Sequence, residues 1–115
     1  METSAVIDAL AALAQSSRLA IYRLLVEQGL EGLPAGAIAE KLDLPAATLS
    51  FHLAHLARAS LVQGRQDGRF VIYSANFQSM NALVGFLTDN CCRGASCVPA
   101  ACEVPSLSTR KERRK

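Results

Sequence analysis

The sequence predicts a mainly α-helical fold of about five helices with one β-hairpin, and three observations support this prediction. Apolar residues recur every three or four positions over much of residues 5–59, which is the period of a helix with one buried face. Two runs rich in β-branched and aromatic residues then flank the pair Asp67-Gly68, a strong hairpin signal. The helical period returns from Phe77 to Leu87. At 115 residues, the chain has room for one domain with an ordinary apolar core.

The first two predicted helices follow each other closely in the chain. Residues 5–15 alternate alanine with larger apolar residues, and Thr3 or Ser4 is the candidate N-cap of this helix. Ser16 or Ser17 is the candidate N-cap of the second helix, which ends where glycine and proline become frequent.

A loop is predicted after the second helix, because glycine and proline punctuate the chain at Gly29, Gly32, Pro34 and Gly36. A short helix follows from Ala35 to Leu42. A longer one is predicted from about Ala46 to Ala59, with Pro45 near its first turn, where proline is tolerated.

The hairpin is predicted from two strands, Leu61–Arg65 and Arg69–Ser74, around the turn Gln66–Gly68. Two helices joined by a tight turn and followed by a hairpin form a winged helix-turn-helix. In this fold the second helix of the pair enters the DNA major groove, and the hairpin, or wing, reaches the flanking backbone. The helix from Ala46 is therefore the predicted recognition helix.

The predicted recognition helix has two different faces. At about 100° per residue, Leu49, Leu53 and Leu56 share one stripe and are expected to face the core. The opposite side is small, polar or aromatic, with one cation, and such side chains suit phosphates, base edges and thymine methyl groups. The candidate DNA contacts are Ala47, Thr48, Ser50, Phe51, His52 and Arg58 on this helix, and Arg65 and Arg69 on the wing.

Each candidate DNA contact also has a purely structural interpretation. The alanines favour helix formation wherever they stand. Phe51 could pack against the wing, and His52 lies beside the core stripe, where a half-buried packing role is more common than base reading. Arg65 and Arg69 could be ordinary charged residues on exposed strands. The combination therefore carries the DNA-binding prediction, rather than any one residue.

The composition is that of a globular protein, with 50% apolar and 19% charged residues. The net charge of +2 is unevenly distributed: five Lys or Arg and one Glu give the last six residues +4, which leaves −2 on the other 109. This basic end is either a solvated tail or a source of non-specific phosphate attraction. The start of the chain is acidic rather than basic, and no stretch is long and apolar enough for a membrane span. We therefore expect a cytoplasmic protein without a membrane partner.

The ordered set of motifs resembles the ArsR (ArsR/SmtB) family of small metal- and metalloid-responsive repressors over about residues 8 to 90. The matching segments are Leu13–Leu25, Ile38–Leu42, Thr48–Leu56, Leu61–Val62 and Gly68–Ser74. The resemblance implies a winged-helix homodimer that binds double-stranded operator DNA. It also implies that the first and last helices form the dimer interface.

Apolar stripes on the first and last helices suit that interface. The residues assigned to it are Val6, Leu10, Leu13, Met80, Leu83, Val84 and Leu87. Both stripes could equally belong to the core of a single chain, and the sequence does not separate the two interpretations.

The resemblance also directs attention to the inducer site, whose position varies within the family. Residues 37–44, before the recognition helix, contain no cysteine, and residues 77–90 offer Asp89 but no histidine, so two of the family's site patterns are absent. The remaining pattern is a Cys-Cys pair just after the last helix with another cysteine downstream. The residues that fit it are Cys91, Cys92 and Cys97, with Cys102 as an additional candidate.

The chemistry of the cysteine cluster leaves several soft ions open. Adjacent Cα atoms lie about 3.8 Å apart, below the ~4.4 Å at which ordinary disulfides begin, so Cys91 and Cys92 are better read as paired thiolate donors. Thiolates select Cu(I), Zn(II), Cd(II), Pb(II) and trivalent arsenic or antimony. Three-coordinate As(III) would take this pair plus either Cys97 or Cys102. Cys97 closes the shorter loop and is the preferred third ligand.

We therefore expect a dimeric repressor that As(III), or Sb(III), releases from DNA, with a winged-helix domain over residues 1–92 and a cysteine-containing, basic tail over residues 93–115. The alternative inducers are oxidants or persulfides, or another soft metal such as Cd(II) or Pb(II). An enzyme is not expected, because no Cys-x-x-Cys on a βαβ pattern and no assembled acid–base set is apparent. A winged helix used for protein contacts is the remaining alternative.

Overall fold

A computed structural model describes residues 1–90 of the chain. Five helices and three strands follow one another along it, and the prediction of about five helices with one hairpin is confirmed. The elements are α1 (Thr3–Leu13), α2 (Ser16–Gln28), a 3₁₀ turn (Gly29–Glu31), β1 (Leu33–Pro34), α3 (Ala35–Leu42), α4 (Ala46–Arg58), β2 (Val62–Asp67), β3 (Phe70–Ala75) and α5 (Phe77–Leu87). In this part of the chain, every helix is too short or too polar to cross a membrane.

The wing consists of β2 and β3, which pair antiparallel from Val62 opposite Ala75 to Asp67 opposite Phe70. The loop is therefore Gly68 and Arg69, one residue later than the predicted turn. Gly68 has a φ of +62° at the first of the two loop positions, where type II′ hairpins require glycine. Because that turn matches the twist of the strands, the wing extends without a bulge.

The sheet has a third strand that the sequence did not predict. Leu33 and Pro34 form β1, which pairs antiparallel with Tyr73 and Ile72 of β3, giving the strand order β1-β3-β2. Gly32 makes this approach possible: its φ is +69°, and a Cβ there would overlap the carbonyl of Tyr73. The glycine and proline that predicted a loop thus mark a short edge strand, where proline is acceptable.

The helix starts are set by residues other than the predicted caps. Glu2, not Thr3 or Ser4, is the N-cap of α1, and its side chain makes no capping bond. Gln15 rather than Ser16 caps α2, where its Oε1 accepts a hydrogen bond from the backbone N–H of Arg18 at 2.9 Å. The predictions failed because serine and threonine cap well only when they precede the first helical residue.

The core lies between the helices and the inner part of the sheet. The largest fully buried side chains are Ile21, Leu25, Ile38, Leu49, Leu56 and Leu61. They come from α2, α3, α4 and the start of the wing, so the core fixes the two helices of the helix-turn-helix relative to the hairpin.

Candidate nucleic-acid interface

The turn between α3 and α4 sets the direction of the recognition helix. Asp43 ends α3 in the left-handed conformation at φ 54°, and the N–H of Leu44 donates to the carbonyl of Ala39 at 3.0 Å. Pro45 then precedes α4 with an extended backbone. These three residues turn the chain sharply, so that α4 starts a new direction while its inner face still packs on α3.

The two faces of α4 are those the sequence predicted. Leu49, Leu53 and Leu56 are at most 3% exposed and join the core. The exposed residues of the helix include Ala47, Thr48, Ser50, Phe51, Ala54 and Arg58. This outer face has hydroxyls and an aromatic ring with one arginine at its end, so a major groove can receive it without a bulky obstruction.

His52 does not belong to this outer face. It is only 8% exposed, and its Nδ1 has no hydrogen-bond partner among the described residues. Its ring meets that of Phe51 edge to face, with centroids 5.6 Å apart. Burial at the boundary of the core stripe supports the packing role that the sequence weighed against base reading. Phe51 itself is 61% exposed and stays available to a partner.

The wing places its two arginines differently. Arg69 lies in the exposed hairpin loop. Arg65 also has exposed surface, but its guanidinium donates to the carbonyl oxygens of Leu30 at 3.3 Å and Glu31 at 3.0 Å. It therefore ties β2 to the 3₁₀ turn, a structural role that no sequence motif signals. Arg69 is the wing cation that projects most freely.

A shallow pocket that the sequence did not suggest lies where α1 crosses the end of α4. Its volume is about 250 Å³, and its lining comprises Asp8, Ala11, His55, Arg58 and Ala59. The ring of His55 stands edge to face with Phe51 at 6.5 Å, so this pocket adjoins the outer face of α4. Partial burial, followed by the positive charges of Arg18 and Arg58 and an electrostatic contribution from His52, lowers the pKa of His55.

The residues predicted to form a dimer interface divide into two groups. Leu10, Val84 and Leu87 are 43–58% exposed, as a surface that receives a partner must be. Val6 and Leu83 are 3% and 7% exposed and belong to the core of the single chain, with Leu13 and Met80 packed against that core. For Val6 and Leu83 the intrachain interpretation is the correct one, because both belong to the buried core cluster of the protomer, in which α1 and α5 also contact each other.

Ile7, three residues before Leu10 on α1, adds to the exposed apolar surface of this helix. It is 60% exposed on α1, one residue from the core position Val6. We call the set Ile7, Leu10, Val84 and Leu87 the α1–α5 face. An amphipathic stripe marks a helix as half apolar, but only the packed structure shows which part of the stripe remains uncovered.

The four cysteines, Cys91, Cys92, Cys97 and Cys102, lie outside the described residues, as do the predicted domain boundary after residue 92 and the basic tail. Within residues 1–90, no three His, Cys, Asp or Glu side chains come together as ligands for a metal ion. The prediction of a thiolate site therefore depends on the chemistry of the cysteines alone.

The helix-turn-helix, the exposed face of α4 and the three-stranded wing define a winged helix-turn-helix domain. Comparison with known proteins agrees: a family model described as "Helix-turn-helix domain" matches residues 13–65. The nodulation protein NolR of Rhizobium meliloti is 35% identical over 80 residues, which cover 70% of this chain and 63% of NolR. The match thus spans slightly less than two thirds of that protein.

Two solved structures extend the similarity to the whole fold. HlyU from Vibrio cholerae is 30% identical, with 80% of this chain and 99% of that chain covered at a TM-score of 0.63. Mb0332 from Mycobacterium bovis, a homodimeric winged helix-turn-helix domain and a possible ArsR-family transcriptional regulator, is 28% identical, with 81% and 86% covered at 0.60. The chain belongs to the ArsR family of winged-helix transcriptional regulators.

Proposed function

We propose that the protein is a homodimeric transcriptional repressor that binds operator DNA and leaves it when trivalent arsenic binds its C-terminal cysteine thiolates. The DNA-binding part rests on one observation: the outer face of α4 is exposed opposite a fully buried leucine stripe. A helix held in this way has one surface for the core and one for the groove. Arg58 at its end and Arg69 on the wing supply charge for the flanking phosphates.

The dimer follows from the α1–α5 face and from the homodimeric state of Mb0332. A two-fold axis through this face would present two copies of α4. Paired recognition helices of this kind read two half-sites about 34–36 Å apart, one turn of B-DNA. The operator is therefore expected to be an inverted repeat, and occupation of it would block the promoter.

The inducer is assigned from the chemistry of the thiols. Arsenous acid exchanges three hydroxyl groups for three thiols, forming three As–S bonds and releasing three waters. Cys91 and Cys92 supply two sulfurs, and Cys97 or Cys102 the third. A structural zinc site prefers four ligands with wider spacing, which an adjacent pair does not provide. Antimony in the trivalent state has the same requirement and is expected to act likewise.

The coupling between inducer and DNA is proposed to pass through α5. Cys91 is four residues beyond Leu87, the last residue of α5, which also lies on the α1–α5 face. An ion bound there would change how the two protomers pair and hence the spacing of the two α4 helices. It acts as an inducer only if it binds the DNA-incompetent pairing more tightly.

The test is fluorescence anisotropy on DNA from upstream of the protein's own gene, with arsenite titrated in. The reductant should be a phosphine, because thiol reductants compete for arsenic. Release near one arsenite per protomer, absent with zinc, supports the proposal. Binding that arsenite leaves unchanged removes arsenic from it, and absence of any DNA binding contradicts the repressor assignment, which would favour the protein-contact alternative.

Four single Cys→Ser variants identify the ligands. We expect Cys91→Ser and Cys92→Ser to abolish release, and only one of Cys97→Ser and Cys102→Ser to do so. All four should bind DNA as the unsubstituted protein does. Release by peroxide or persulfide, with a cysteine cross-link detected by mass spectrometry and no response to arsenite, would instead establish the redox alternative.

A further inference from the structure

The pocket between α1 and α4 is small and partly lined by nitrogen donors. Its volume of about 250 Å³ lies below the ~300 Å³ at which pockets for drug-sized ligands begin. Two of its five lining residues, His55 and Arg58, carry nitrogen donors, and two others, Ala11 and Ala59, have small apolar side chains. A group with several acceptor oxygens, such as a phosphate, matches this size and this donor set.

The charges around the pocket favour an anion, with one exception. Arg18 and Arg58 both act on His55, and their positive charges contribute, after partial burial, to lowering its pKa. The nearby histidine His52 acts in the same direction, while Asp8 is the single acidic group in the lining. Arg58 in the lining and the nearby Arg18 thus outnumber the single carboxylate of Asp8, and a bound anion would relieve the repulsion between these two arginines.

The position of the pocket indicates where the anion comes from. An α-helix with its side chains is about 10–12 Å across and the major groove is about 12 Å wide, so residues on the flanks of an inserted helix meet the phosphates. Arg58 is exposed at the end of the outer face of α4, and His55 stands beside Phe51 on the same flank. A duplex that receives this face brings one backbone over the α1–α4 pocket.

From this geometry we infer that the α1–α4 pocket binds a DNA backbone phosphate, with Arg58 and His55 as donors and Asp8 as an opposing charge. The inference rests on the proposed DNA-binding function and adds a contact formed by α1 and α4 to those of the wing. The Nε of Arg18 donates a hydrogen bond to the carbonyl of Ala12 at 2.7 Å, so we assign Arg18 a contribution of positive charge rather than a direct bond to the phosphate.

A bound phosphate would stabilise the protonated form of His55. The pKa of His55 is lowered in the free protein, and the negative charge of the phosphate would raise it, so binding takes up a proton. Affinity should therefore increase as the pH falls from the pKa of the complex towards the lower pKa of the free protein. Replacement of His55 by glutamine, which keeps a donor but cannot be protonated, should remove this part of the pH dependence.

The experiment measures the operator affinity of the full chain as a function of salt and pH, for the unsubstituted protein, Arg58→Ala, His55→Gln and Asp8→Asn. Arg58→Ala removes one phosphate contact from each of the two protomers of the dimer, which lowers the slope of log K against log salt by about 1.8. Between about 50 and 200 mM salt, this makes the affinity of Arg58→Ala fall roughly 12-fold less than that of the unsubstituted protein. Asp8→Asn should bind about two- to fivefold more tightly.

Arg23→Ala is the matched control, because Arg23 is an exposed arginine of α2 that does not line the pocket. It should leave the salt slope closer to the original than Arg58→Ala does. Thermal unfolding followed by circular dichroism verifies that each variant is folded.

An unchanged salt slope in Arg58→Ala, or an unchanged pH dependence in His55→Gln, would overturn the inference. The first result would also remove Arg58 from the proposed phosphate contacts, while DNA binding through the outer face of α4 and Arg69 would still stand. Failure of the unsubstituted protein to bind DNA would overturn both the inference and the proposed repressor. A further experiment titrates inorganic phosphate into the protein without DNA and follows the NMR signals of His55. If phosphate shifts those signals while the salt slope of Arg58→Ala is unchanged, the pocket takes free phosphate and the backbone assignment is wrong.

Discussion

Replacement of Leu87 by alanine tests the α1–α5 face as the dimer interface. Leu87 is 58% exposed near the end of α5, beside Val84, and makes its largest contribution only if a partner covers it. The change removes apolar surface without introducing charge, and alanine favours the helix, so the fold of the protomer should be retained. We expect the dimer to weaken. Under conditions in which both proteins are monomeric, the variant and the unsubstituted protein should unfold at similar denaturant concentrations.

The size of the effect follows from the exposed fraction. Full burial of a leucine side chain contributes about 1.5–3 kcal/mol, so covering the exposed 58% contributes about 1–1.7 kcal/mol. A two-fold interface contains the residue twice. Since alanine keeps part of that surface, the dimer should lose about 2 kcal/mol, which corresponds to a roughly 30-fold increase in the dimer Kd.

Sedimentation equilibrium over a range of protein concentrations measures this Kd directly. Leu30→Ala is the matched control, because Leu30 is 77% exposed on the 3₁₀ turn, outside α1 and α5. A dimer Kd unchanged in Leu87→Ala, or raised equally in Leu30→Ala, would refute the assignment of the α1–α5 face.

Three other substitutions probe the fold and the DNA-binding face. Gly32→Ala should lower the free energy of unfolding by more than about 1 kcal/mol in urea titrations, because the added Cβ would overlap the Tyr73 carbonyl and the φ of this residue is positive. As a control, Gly36→Ala, which adds a Cβ in open space on α3, should raise the free energy of unfolding by about 0.5–1 kcal/mol. Asn76→Ala removes the side-chain cap of α5 and should cost about 1 kcal/mol in the same assay, while equal stability would contradict a role for the cap. Phe51→Ala should weaken operator binding about tenfold in anisotropy titrations yet leave unfolding within about 0.5 kcal/mol, since its ring is mostly exposed; a large loss of stability would instead assign it to packing.

The faces of α4 could be predicted because both the period and the residue types agree along its whole length. Leu49, Leu53 and Leu56 fall on one line, and Phe51 is the single large apolar residue that stands opposite them on this helix. A single helix with a strong local pattern is the case in which sequence determines orientation. The helix-turn-helix and the wing followed from such local signals.

The features that failed depend on contacts between distant parts of the chain. Val6 and Leu83 have the spacing of an interface stripe, but both are buried in the core of the same protomer. The short strand β1 exists because Gly32 lets it approach β3. The paired residues Leu33 and Tyr73 are 40 residues apart in the chain. No period in a sequence records such an encounter.

The candidate sites show the same division. Thr48, Ser50 and Arg58 are predicted as candidate DNA contacts from the helix alone, whereas the pocket beside Arg58 requires α1, with Asp8, to lie against the end of α4. The hydrogen bonds of Arg65 to the carbonyls of the 3₁₀ turn likewise cannot be predicted from the residues next to Arg65 in the sequence. Sequence therefore located the helix surface, and tertiary structure defined what flanks it.

The structure offers a short connection between the two ends of the proposed mechanism. Asn76 is the N-cap of α5. Its Nδ2 donates to the carbonyl of Ser60, two residues beyond the end of α4, at 3.1 Å, and its backbone N–H donates to the carbonyl of Leu61 at 2.8 Å. The helix that leads to the cysteines is thus anchored at its other end to the segment that follows the recognition helix. A displacement of α5 along its axis would act on α4 through these bonds as well as through the dimer face.

Thermodynamic linkage makes this proposal quantitative. If arsenite lowers operator affinity by some factor, operator DNA must lower arsenite affinity by the same factor, because the two orders of binding lead to one final state. The coupling is typically 1–3 kcal/mol, or about 5- to 150-fold. An arsenite affinity that operator DNA leaves unchanged would show that the ion binds without acting on the DNA-binding state, even if the cysteines hold it tightly.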